Sequence, residues 1–118
     1  MARPLIVAAA QTGSVDAPGS DAIVAAAHAM LDEAGRQGVR LLTFGELFLA
    51  PFFPNRLEED FDRYFMRDDD PVVTGLRAKA RALRIALVLP LAERAPAGYY
   101  NAALVQDENG DEAGRYRK

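Results

Sequence analysis

The chain of 118 residues contains no cysteine, which excludes a disulfide framework, a thiolate metal site and a cysteine nucleophile within these residues. Apolar runs are short: Leu87 to Ala92 is typical, far below the roughly 20 residues that a membrane span requires. There is no excess of positive charge either. A net charge of -3 with 14 basic against 17 acidic residues gives no electrostatic reason to bind nucleic acid or an anionic membrane. The start, Met1-Ala2-Arg3-Pro4, lacks the apolar segment and small-residue cleavage site of a secretory signal, so a soluble, cytoplasmic protein is expected. Also missing are the glycine-rich loops that cradle phosphates, which removes support for a kinase or a dinucleotide-dependent dehydrogenase, and no cofactor is expected.

Histidine is nearly absent. His28 is the only one and has no second histidine or cysteine to complete a metal site, so a helix-surface or partly packed role is expected and no metal is assigned. The triple aspartate Asp68 to Asp70 is explained by an acidic cap on the helix that follows.

What remains is an ordinary globular composition, half apolar and about a quarter charged, sufficient for one compact core. No repeat, low-complexity tract or composition shift divides it, so residues 1–118 read as one incomplete domain. Pro4 to Gln11 is a short, continuous apolar run, as expected of a strand buried on both faces. Ser20 is placed to cap a helix in which Ile23, Val24, Ala27, Met30, Leu31 and Ala34 recur at helical spacing, and Gly38 stops it. Val39 to Phe44 is the next strand, completing a unit whose crossover is expected to be right-handed.

Between residues 45 and 70 the chain reads as irregular, with Pro51 and Pro54 as breakers and a short helix expected within Leu57 to Phe65. Asp70-Pro71 opens a second helix with Val73, Leu76, Ala80 and Leu83 on one face. Strands follow at Ile85 to Leu89, Tyr99 to Gln106 and Glu112 to Lys118, the last two joined through the turn Glu108 to Asp111. The predicted order is β-α-β-α-β-β-β, an α/β fold.

Glu46 lies two residues beyond the second predicted strand, at the sheet edge where open α/β sheets bind ligands. Its neighbours Phe44, Leu47 and Phe48 are expected to desolvate it and raise its pKa toward general-base use. A helix-start or surface glutamate is the alternative. Lys118, following Gly114-Arg115-Tyr116-Arg117 at the end of the last strand, could meet Glu46 and stabilise an oxyanion, but on position alone a solvated lysine at a frayed strand end is the better reading. Lys79 differs, sitting on an arginine-rich helix.

Four separated segments together resemble the nitrilase superfamily of carbon-nitrogen hydrolases. They are the first strand ending in Gln11, the Gly45-Glu46-Leu47 stretch with its aromatics, the Tyr100-Asn101 pair, and Gly114-Arg115-Tyr116-Arg117-Lys118. The resemblance implies the N-terminal half of an α-β-β-α four-layer sandwich. It implies Glu46 as general base, Lys118 as the cation facing the tetrahedral intermediate, and a cysteine nucleophile several tens of residues beyond the lysine. The cysteine is expected to be absent by truncation rather than substitution, leaving this chain alone inactive. One position departs from the family's pattern: Gly45 stands where a proline is usual. Glu93 falls where relatives often carry another glutamate and is expected to be structural or solvated.

Phe52-Phe53-Pro54 looks most like the N-carbamoyl-D-amino-acid hydrolases, so small amide or N-carbamoyl substrates are implied, with homo-oligomers common in the family. The rival class is a non-catalytic α/β interaction module, or an inactive shortened homologue that pairs with an intact subunit. The interaction module, unlike the shortened homologue, requires Glu46 and Lys118 to be unrelated in space. A sheet ending at its fifth strand is also expected to expose apolar surface and to limit solubility.

Overall fold

A computed structural model describes residues 2–118. The described residues form β1 (Val7–Ala10), α1 (Asp21–Arg36), β2 (Leu41–Phe44), a single 3-10 turn (Asp62–Tyr64), α2 (Pro71–Ala82), β3 (Ala86–Ala95), β4 (Gly98–Gln106) and β5 (Glu112–Arg117). The strands lie in one sheet in the order of the chain. β1, β2 and β3 are parallel, and β3, β4 and β5 are joined as antiparallel hairpins.

Two successive crossovers step in the same direction along the sheet, so both helices pack on one face of it. Ile23, Ala27, Leu31 and Ala34 of α1 meet Val73, Leu76 and Ala80 of α2 over Leu87, Leu89 and Leu91 of β3. These positions repeat every three or four residues in the helices and every second residue in the strand, the two periods that keep one face apolar. Asp70 caps α2 by accepting a 2.8 Å hydrogen bond from the Val72 amide, with Pro71 in the first turn. Ser20 occupies the cap position of α1, but its side chain makes no capping bond. Gly38 adopts φ 74°, the left-handed conformation with which glycine ends a helix.

Three expectations change. The first strand is not buried on both faces: Val7 is 59% exposed, because the helices cover only the face of Ala8 and Ala10. The helix expected within Leu57 to Phe65 shrinks to the 3-10 turn. There the Asp60 carboxylate accepts from the Asp62 amide, a local bond that competes with a continuing helix. β3 runs to Ala95 rather than Leu89. Pro90 is tolerated inside it because β2 pairs no further than Val88, which leaves β3 a free edge on that side.

Met66 fills part of this free edge, its amide donating to the Ala92 carbonyl and its carbonyl accepting from the Arg94 amide, both at 2.8 Å. The loop before it carries a second apolar cluster, in which Leu47, Ala50, Phe53 and Tyr64 gather on Ala92. Ala92 alternates with Leu91, so this loop covers one end of the face opposite the helices. Among the described residues no helix is long and apolar enough to cross a membrane.

Candidate active site

The turn after β2 separates Glu46 from its apolar neighbours. Phe44 and Phe48 stack at 4.3 Å and are buried, and Leu47 is buried with φ 54°, a left-handed backbone that non-glycine residues rarely adopt. Turning Leu47 inward sends the Glu46 side chain outward, where it is 53% exposed.

Two other strands supply its partners. Asn101 of β4 donates from Nδ2 to Glu46 Oε1 at 2.6 Å, and Lys118, just past β5, donates from Nζ to the same oxygen at 3.3 Å. The Lys118 amide donates to the Asn101 carbonyl at 2.9 Å, extending the β4–β5 ladder by one bond. Residues far apart in sequence thus converge on one carboxylate oxygen at the edge of the sheet. The Glu46–Lys118 distance lies well inside the roughly 6 Å over which one charge shifts the other's protonation.

The expected rise in the Glu46 pKa does not occur. Asn101's hydrogen bond, followed by the bond and charge of Lys118, holds the carboxyl below the ordinary glutamate value, and burial opposes them only weakly. The hydrophobic residues that were expected to desolvate Glu46 face the core instead. Asn101 is the member of the group that sequence reasoning left without a role. Strand alternation holds the signal, since Asn101 is the β4 position in line with Lys118.

Other charged residues are engaged elsewhere. Glu93 is 2% exposed and structural rather than solvated, held by Arg115 and Arg117. Lys79 bonds Asp32 at 2.9 Å, tying α2 to α1. Of the triple aspartate, Asp68 pairs with Arg115, Asp69 with Arg67, and Asp70 caps α2. Among the described residues there is no group of three or more His, Asp or Glu side chains arranged to hold a metal ion.

A helical layer on a mixed sheet, with a carboxylate and an ammonium paired at its rim, defines an α/β protein with a polar site at the strand ends. The sequence model of the carbon-nitrogen hydrolase family matches residues 6–118, and the chain belongs to that family. It is similar to N-carbamoylputrescine amidase of Arabidopsis thaliana, 29% identical over 96 residues, which is 80% of this chain and 32% of that protein. The chain therefore spans about a third of the length of that relative.

Among solved structures, a carbon-nitrogen hydrolase from Helicobacter pylori superposes with a TM-score of 0.75 at 21% identity, covering 97% of this chain and 39% of the other. An amidase from Nesterenkonia sp. gives 0.66 at 25% identity, covering 93% and 41%. These neighbours show the fold to be the N-terminal portion of the carbon-nitrogen hydrolase fold, about two fifths of each neighbour's chain.

Proposed function

We propose that this chain supplies the general base, Glu46, and the oxyanion-stabilising cation, Lys118, of a hydrolase acting on non-peptide carbon-nitrogen bonds, with small amides or N-carbamoyl compounds as substrates. The observation that carries the reading is the convergence of Lys118 and Asn101 on one oxygen of Glu46. Family membership and the amidases among the relatives support the substrate class. A mutant of the Nesterenkonia amidase carries the acetamide moiety of fluoroacetamide covalently on its active-site cysteine, which supports a thiol as the nucleophile in relatives.

In this mechanism a cysteine from outside the 118 residues gives its proton to the Glu46 carboxylate and attacks the carbonyl carbon of the substrate. Lys118 stabilises the negative oxygen that develops there. The tetrahedral species collapses with loss of ammonia or amine, the leaving nitrogen taking the proton back from Glu46, and water then hydrolyses the thioester. The depressed pKa of Glu46 keeps it ionised at neutral pH and able to receive that proton. Asn101, bonded to Oε1, holds the Glu46 carboxylate in place.

The test has two arms. The 118-residue chain is expected to form no thioester and to release no ammonia above a Glu46→Ala control, since it has no cysteine. DNA beyond codon 118 is then read for a cysteine-bearing continuation and the longer polypeptide assayed on amide and N-carbamoyl substrates. Glu46→Gln is expected to lower its turnover by about 10²–10⁴-fold. Undiminished turnover by that variant sinks the assignment.

A further inference from the structure

We propose that Glu93 is a positioning residue for Lys118: its buried carboxylate grips Arg115 and Arg117, and this grip fixes β5 in the register that delivers Lys118 to Glu46. The inference rests on the reading of Glu46 and Lys118 as partners in a hydrolytic site.

β5 is the edge strand of the sheet, and its residues are at most half-buried, so apolar packing does little to hold it. Its ladder to β4 is also irregular, with a shift in register between Val105 and Gln106. The short turn in which Asp107 accepts from the Asn109, Gly110 and Asp111 amides sets the pairing at the start of β5, but the register shift lies between that turn and the far end of β5, where Lys118 sits. Side-chain contacts have to supply what the core does not.

The contacts come from β3, two strands away. Glu93 Oε1 accepts from Arg117 Nε at 2.8 Å, Oε2 accepts from Arg117 Nη2 at 3.1 Å, and Arg115 Nη1 also donates to Oε2. The arginines reach across β4 over Ala102, the small residue opposite Arg117, and the Arg117 guanidinium lies 4.3 Å above the Tyr100 ring. Tyr100 stands directly opposite Glu93 in the β3–β4 ladder. Two bonds to one carboxylate from a planar guanidinium constrain direction as well as distance.

Alternation converts this grip into an aim. Glu93, Tyr100 and Arg117 occupy the helix-covered face of the sheet. The residues that follow the last two, Asn101 and Lys118, must therefore face the other way, where Glu46 lies. The pairs Tyr100-Asn101 and Arg117-Lys118 each give one side chain to Glu93 and one to Glu46. A slip of β5 by one residue would turn Lys118 to the helix side, and a slip by two would carry it about 7 Å along β4. Either movement breaks the Glu93 contacts.

The test uses the 118-residue chain and carbon-detected NMR of its aspartate and glutamate carboxyls. In a folded Glu93→Gln variant the Glu46 titration midpoint is expected to rise and the cross-peak between Lys118 Hε and Glu46 Hγ to vanish. The midpoint of Asp32, which pairs with Lys79 between the helices, is expected to stay where it is. Unchanged Glu46 midpoint and cross-peak overturn the proposal. So does a movement of Asp32 together with Glu46, which would mean that Glu93 only supports the fold.

If Glu93→Gln does not fold, Arg117→Met and Arg115→Met leave the carboxylate one guanidinium each and are read the same way. Loss of the cross-peak in either, with Asp32 unmoved, supports the proposal, and retention in both overturns it. None of these readouts depends on hydrolysis. A failure of the catalytic assignment, seen in the turnover of Glu46→Gln, is therefore distinguishable from a failure of Glu93 to position Lys118.

Discussion

Glu46 and Asn101 are 55 positions apart in the chain, yet the 2.6 Å hydrogen bond between them is shorter than the 3.3 Å contact of Glu46 with Lys118. The amide's hydrogen bond is the largest single cause of the lowered Glu46 pKa, ahead of the Lys118 hydrogen bond and the Lys118 charge taken one at a time. Asn101→Ala and Lys118→Met are therefore each expected to raise the titration midpoint of Glu46. The sign follows from linkage: a carboxyl depressed in the folded state favours folding above its unfolded pKa, near 4.5, and loses that contribution as pH falls through the folded value. NMR titration of both variants is the measurement, and an unmoved midpoint in either would remove that residue as a cause.

Gly45, the position where the family usually carries proline, is not in the left-handed region, and an added Cβ would meet nothing within 4 Å. Gly45→Ala is expected to stabilise the chain by about 0.4–1 kcal/mol, because it narrows the unfolded ensemble without straining the folded one. Gly110→Ala is expected to destabilise it. There φ is 90° and the new Cβ would lie 2.8 Å from Arg81 Cδ. Urea midpoints of the two variants should move in opposite directions.

The elements that periodicity and caps define were legible in the sequence. Asp70-Pro71 marked the start of α2, and Ile23, Ala27 and Leu31 marked the buried stripe of α1, because each follows from local backbone geometry. Non-local pairing was less visible. The length of β3 past Pro90 depends on β2 ending early, and the exposure of Val7 depends on what covers the far face of the sheet. At the site, Glu46 and Lys118 were readable as candidates from strand ends and family likeness. The direction of the Glu46 pKa was not, since it depends on Leu47 adopting a left-handed turn that aims Glu46 away from the aromatics.

The two helix starts give a matched pair of experiments. Asp70 accepts from the Val72 amide, so Asp70→Ala leaves an end-of-helix donor without its partner and is expected to cost about 1 kcal/mol. Ser20 makes no side-chain capping bond, and Ser20→Ala is expected to change stability by no more than about 0.5 kcal/mol. Equal losses in thermal or urea unfolding would show that Ser20 caps α1 in solution after all.

Acid should weaken the chain partly through Glu93. Its carboxyl is held below the ordinary value, chiefly by the Arg117 hydrogen bond and then by Arg115, against an opposing effect of burial. The native state thus releases this proton more readily than the unfolded chain does. The resulting stabilisation is complete above the unfolded pKa, near 4.5, and disappears as pH falls through the folded one. Each such linked proton contributes a slope of at most about 1.4 kcal/mol per pH unit. Glu93→Gln, which cannot titrate and sets an amide NH2 against the arginines in place of one carboxylate oxygen, is expected to start less stable at pH 7 and to lose less between pH 5 and pH 3 than the parent chain. Urea unfolding across that interval is the measurement. Parallel curves for the two proteins would mean that Glu93 is not the carboxylate through which acid acts.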